Sequence, residues 1–158
     1  MRKFCVLLGF VALAILVVPA TAFAGTKPAT KFVVVMRASD EVPLCATATN
    51  ASRGSATFRI TDATAGTVKY KLVANNLPGV INAAHIHLAP KGTPGAVVQP
   101  LALTPGAENG VIGKGTFTNP GLVQALQADP AAYYVNVHSD VCMPGVIRGQ
   151  FGDKGPSS

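Results

Sequence analysis

The chain has 158 residues, 49% of them hydrophobic and 13% charged, with no tryptophan and a formal charge of +6 at pH 7. Its cations are scattered singly, without the basic cluster and interleaved aromatics of a nucleic-acid surface. Nucleic acid is therefore not expected as a partner, and the mild basicity reads as an ordinary solvated surface.

Arg2 and Lys3 precede an almost unbroken apolar run from Val6 to Val18, and Ala22-Phe23-Ala24 has the small-x-small pattern that a signal peptidase reads. The run is shorter than the roughly 20 residues a membrane-spanning helix needs. Residues 1–24 thus read as a signal peptide, 25–31 as a linker, 32–152 as one domain and 153–158 as a loose tail. Such a protein is secreted or periplasmic, with no transmembrane segment in the mature chain. Cleavage leaves 134 residues, a charge of +4 and two cysteines, Cys45 and Cys142. In an oxidising compartment an isolated pair forms a disulfide more often than it stays free. The bridge would close a loop of about 98 residues, worth on the order of 4–5 kcal/mol on chain-entropy grounds.

From Lys31 onward the pattern is that of strands. Phe32–Met36 is an apolar run, Asp40-Glu41-Val42-Pro43 turns out of it, and Ser55–Ile60 alternates cleanly. After a turn at 61–66, Val68, Tyr70 and Leu72 lie opposite Lys69 and Lys71, the mark of a sheet with one wet face. These two segments predict a hairpin. Ala83–Leu88 is the next strand, and it places His85 and His87 on one face because side chains alternate. Val97–Leu103 is extended, with Pro100 arguing for an edge position. Gly110–Phe117 is a further strand. The one helix starts at Asn119 as N-cap with Pro120 in the first position, buries Leu122, Val123 and Leu126, and stops at Asp129-Pro130. Tyr133–His138 is a strand that puts Tyr134, Asn136 and His138 on one face. Residues 139–145 read as a turn and Val146–Phe151 as the last strand. About eight strands, turn signals between them and one short helix predict an all-β, antiparallel β-sandwich.

Five motifs then occur in order: Asp40-Glu41-Val42-Pro43, Ala83-Ala84-His85-Ile86-His87, Gly95-Ala96-Val97-Val98, Tyr134-Val135-Asn136-Val137-His138 and Gly145-Val146-Ile147-Arg148-Gly149-Gln150. Together they resemble the CHRD domain, the module named after the repeats of chordin and found alone in secreted bacterial proteins. The resemblance covers roughly Phe32 to Phe151. It implies an immunoglobulin-like or superoxide-dismutase-like sandwich and an extracytoplasmic life, and little about function. Leu88 stands where the family usually has a glycine, and Leu44 where it has a second proline.

The polar residues leave three readings. One is a non-catalytic structural or binding module for an unknown protein or cell-surface partner, in which the imidazoles join Asn136 and Tyr134 in a buried polar network. Another is a mononuclear zinc or copper site made by His85, His87 and His138, with water as fourth ligand. The most distant is a metal-dependent enzyme, for which no second functional group stands beside the histidines; no enzyme activity is expected. Glu41 and Arg148 are expected to form a partly buried ionic clamp between the exit of the first strand and the last strand.

Overall fold

The computed structural model describes residues 28–153. The expected signal peptide (1–24), the first three residues of the expected linker (25–27) and the end of the expected tail (154–158) lie outside the described residues. Eight strands are present: β1 (Lys31–Arg37), β2 (Arg53–Asp62), β3 (Thr67–Asn75), β4 (Ile81–Leu88), β5 (Ala96–Pro100), β6 (Gly110–Thr118), β7 (Tyr133–Ser139) and β8 (Cys142–Gln150), with one α-helix, α1 (Pro120–Ala128), between β6 and β7. Every neighbouring pair is antiparallel, in the order β5-β4-β7-β8-β1-β2-β3-β6. The domain is all-β with one short helix, as the alternation predicts.

The order contains two four-stranded halves that curl toward each other. They join where β8 meets β1, at the single register pair Arg37↔Arg148. Gly149 makes that crossing possible, because any side chain there would collide with the Val35 carbonyl. The inner faces close over a common core. Phe151 from the end of β8 packs against Phe32 of β1 and Phe58 of β2, with ring centroids 5.7 and 5.1 Å away. Val34, Leu72, Ile86, Ile112, Val135 and Ile147 complete its most buried part. At about 25 cal/mol per Å2 of apolar surface removed from water, burial of such side chains is the main favourable term in folding.

The hairpin of β2 and β3 pairs from Arg53↔Asn75 to Asp62↔Thr67. Its turn is set by the Ala65 N–H donating to the Asp62 carboxylate at 2.8 Å. β5 lies at the sheet edge, where Pro100 removes no ladder bond. The chain leaving it runs across to the other half. Leu101 N–H donates to Ala84 of β4, and Thr104 N–H donates to Ile112 of β6. In α1 the Asn119 side chain accepts the Leu122 N–H at 3.0 Å, and Leu122, Val123 and Leu126 are buried. No helix among the described residues is long and apolar enough to cross a membrane.

Some strand ends differ from expectation: β5 stops at Pro100 rather than Leu103, and β2 starts at Arg53 rather than Ser55. β8 begins at Cys142, so the turn is only Asp140-Val141, closed by the pair Ser139↔Cys142. Pro144 and Gly145 look like turn formers, yet here they continue a strand whose pairing is irregular after Val137. A second difference matters more for function. β7 is buried on both faces from Tyr134 to Ser139. Its outer face is roofed by the loop after β4 and by the segment after β1, so a polar layer is enclosed there.

Candidate metal centre

His85 and His87 project from the same face of β4, two residues apart, and His138 projects from β7. The register brings them together: Ala83 pairs with His138, His85 with Asn136 and His87 with Tyr134, so His138 is diagonal to His85. The ring centroids are 4.9 Å apart for His85 and His138, 5.5 Å for His85 and His87, and 6.1 Å for His87 and His138. One ligand nitrogen from each ring lies within 4.8 Å of the other two. The convergence read from strand alternation is present.

The nitrogens are not equivalent. His87 Nδ1–H donates to the Gly95 carbonyl at 2.9 Å, and His138 Nδ1–H donates to the Met143 carbonyl at 2.7 Å. A neutral imidazole that donates through Nδ1 carries its lone pair on Nε2. Both Nε2 atoms are therefore ligands in waiting, with ring orientation and tautomer fixed by a backbone carbonyl. His85 Nδ1 lies 3.1 Å from His138 Nε2. His87 Nε2 is buried and has no hydrogen-bond partner.

Burial keeps these rings neutral. His85 is pushed down to about 4, first by desolvation and then by the positive charge its two neighbours would carry. His87 and His138 are lowered first by desolvation and further by the charges of Arg148 and His87 respectively, against the opposing pull of the Gly95 carbonyl and the neighbouring Asn136 side chain on His87 and of the Met143 carbonyl on His138. His87 and His138 are 7% and 8% exposed, while His85 forms the more open side of the cluster. Two imidazole lone pairs tied from behind, with a third from His85 once its proton moves from Nδ1, where it bonds His138 Nε2, to Nε2, suit zinc or copper.

Tyr134 stacks on His87, with centroids 4.7 Å apart and planes 8° from parallel, and its hydroxyl accepts the Gly95 N–H at 3.2 Å. Arg148 lies over the Tyr134 ring, its Cζ 3.4 Å from the centroid. Its guanidinium donates to the Thr93 and Pro90 carbonyls at 2.9 and 3.0 Å and to Gln150 Oε1 at 3.3 Å. Gln150 in turn donates to the Ala89 and Ala131 carbonyls at 2.8 and 2.7 Å. Arg148 and Gln150 thus hold residues 89–95 down, and that loop presents Gly95 to His87.

The expected Glu41–Arg148 clamp is not formed. Among the described residues the ion pairs are Arg37–Asp40 and Lys91–Asp153. Arg148 is drawn to the loop carbonyls and to Tyr134 instead. Glu41, 2% exposed, accepts the Val42 N–H at 3.1 Å through Oε1, while its Oε2 has no partner. Desolvation pushes its pKa up to about 7, against the lowering effects of the Val42 N–H, Arg148 and Asn136. Asn136 donates to the Pro144 carbonyl at 3.2 Å and leaves its Oδ1 unpaired. Both Glu41 and Asn136 press on Gly145, where a side chain would overlap them. Gly95, Gly145, Met143 and Gln150 were not singled out as site residues. Gly95, Gly145 and Gln150 do fall in the motifs quoted above; Met143 acts through its carbonyl, which no side-chain pattern reveals.

Cys45 and Cys142 are joined by a disulfide, with Cα atoms 5.7 Å apart. The bridge ties the segment that carries Glu41 to the start of β8, one residue before the carbonyl that holds His138.

Fold and site together define an antiparallel all-β domain with a roofed polar layer that centres on three histidines. A family model for the CHRD domain matches residues 32–151. The chain belongs to the CHRD domain family. A search of curated proteins finds none that matches it.

Proposed function

We propose that this CHRD domain is an extracytoplasmic, non-catalytic binding module that holds one zinc or copper ion through His85 Nδ1, His87 Nε2 and His138 Nε2. The observation that carries the reading is the buried Nε2 of His87. It has no partner, although its ring is locked by Gly95 and Tyr134 into pointing that lone pair inward. A buried polar atom left unpaired costs about 1–3 kcal/mol, and a metal ion would satisfy it. The ion would act as a bound cofactor or cargo, its fourth position filled by water or a partner's ligand. A purely structural network is the second reading, favoured by the 3.1 Å approach of His85 to His138.

The test is titration of untagged protein with zinc or copper(II) at neutral pH, comparing wild type with His85→Ala, His87→Ala and His138→Ala. Stoichiometric binding lost in each variant supports the site. Binding that survives removal of His138 rules out the three-histidine arrangement, and no binding by wild type leaves the structural network. Export is checked separately by the mass of the secreted protein, which should begin at Gly25.

A further inference from the structure

Outward-facing residues of β1, β2, β3 and β6 form four rows across the strands. Lys31, Arg59, Lys69 and Thr116 make the first; Val33, Thr57, Lys71 and Lys114 the second; Val35, Ser55, Val73 and Val111 the third; Arg37, Arg53 and Asn75 the fourth. Seven of the nine described cations therefore share one sheet face, Lys91 and Arg148 being the others. Among the described residues the only carboxylate within 4 Å of any of the seven is Asp40, 3.8 Å from Arg37. Asp62, at the far end of the face, is turned into its own hairpin turn.

Several like charges are direct cross-strand partners: Lys31 with Arg59, Arg59 with Lys69, Lys71 with Lys114, and Arg37 with Arg53. Such pairs destabilise a sheet, so folding alone gives no reason for them. The third row is a shallow valley between the basic rows. Its Arg37–Arg53 side opens into a groove of about 520 Å3 bordered also by Asn50 and Asn75.

We infer that this face binds a linear acidic polysaccharide. Strands lie about 4.8 Å apart, so the Lys31–Arg59–Lys69 row offers a cation at intervals comparable to one sugar unit of an extended chain. Ser55, Thr57, Asn50 and Asn75 supply hydroxyl and amide groups for sugar hydroxyls. No aromatic ring occupies an outward position in the four rows, so nothing is provided to stack a nucleic-acid base. The apolar strip is narrow, Val33 beside the row of Val35, Val73 and Val111 that Ser55 interrupts, too little to enter a bilayer.

The experiment is calorimetric titration of the mature protein with polygalacturonate oligomers at low salt, with neutral dextran, a single-stranded oligonucleotide and phosphatidylglycerol vesicles as comparisons. Polygalacturonate should bind with an affinity that falls as salt rises. Lys69→Gln/Lys71→Gln/Lys114→Gln and Arg37→Gln/Arg53→Gln should each weaken it about tenfold or more, as expected when several charge contacts are lost. Lys91→Gln, off the face, should leave it unchanged, as should the histidine variants. Absence of binding, equal binding to dextran, tighter binding to oligonucleotide or vesicles, or full affinity in both multiple variants would overturn the inference. Those substitutions are at outward strand positions, and a thermal melt verifies that each variant remains folded.

Discussion

The guanidinium of Arg148 lies 3.4 Å above the centre of the Tyr134 ring, which itself stacks on His87. The column links the last strand to the histidine cluster through π contacts, while the same guanidinium pins the loop whose Gly95 carbonyl orients His87. A desolvated cation–π contact contributes about 2 kcal/mol, and each acceptor left bare in a buried place costs about 1–3 kcal/mol.

Arg148→Ala should therefore destabilise the domain by about 3 kcal/mol or more, read as a lowered urea midpoint. Arg148→Lys should recover only part of this, since an ammonium cannot serve both carbonyls and the ring face together. Tyr134→Phe keeps the stack and loses the Gly95 bond, for about 1 kcal/mol. Equal midpoints for wild type and Arg148→Ala would show that the loop is held some other way.

Free-thiol labelling of denatured, unreduced protein should find no reactive cysteine. Reduction, or the double change Cys45→Ser/Cys142→Ser, should lower stability by about 2–4 kcal/mol. Two titratable thiols per chain would contradict the bond.

Gly145 and Gly92 make a matched pair. Both have positive φ, 141° and 79°. A methyl at 92 would meet nothing within 4 Å, whereas one at 145 would overlap Glu41 and Asn136. Gly92→Ala should cost about 1–2 kcal/mol from backbone strain alone. Gly145→Ala should cost clearly more, or fail to fold. Similar melting temperatures for the two variants would mean that the polar layer yields easily.

Glu41 has a sign that can be checked. Its folded pKa, about 7, lies above the ordinary 4.5. Between these values the folded chain holds a proton that the unfolded chain has released. Its contribution is thus full below pH 4.5 and is lost as pH rises through 7, by about 3 kcal/mol in all. The histidines act in the opposite direction, since their folded values are depressed. The useful quantity is therefore wild type minus Glu41→Gln, measured by urea denaturation from pH 4 to 8. That difference should fall with pH, and a flat line would remove the buried neutral carboxyl from the account.

Much of this was legible in the sequence. Alternation alone put His85 with His87 and Asn136 with His138, and antiparallel pairing of β4 with β7 did the rest. The helix caps and the edge position of Pro100 were equally local. The Glu41–Arg148 clamp failed because a guanidinium goes to whichever acceptors the tertiary fold brings nearest, here carbonyls in a loop more than 50 residues away in sequence. The basic face was invisible for a related reason. Lys31, Arg59, Lys69 and Lys114 are far apart along the chain and become neighbours only through register. The start of β8 was missed because Pro144 and Gly145 are strong turn formers whose pairing is decided by β7.

The strand pleat described above has a further consequence for how such a domain changes over time. Inward positions on β4 and β7 hold Ala84, Ile86, Val135 and Val137, while outward positions on the same strands hold the histidines, Tyr134 and Asn136. Neighbouring residues thus have different surroundings, one set packed in the apolar core and the other in the polar layer. Single polar groups such as the histidines can therefore change with little effect on the inward apolar contacts, so kinship recognised through the scaffold does not by itself fix what the polar layer holds.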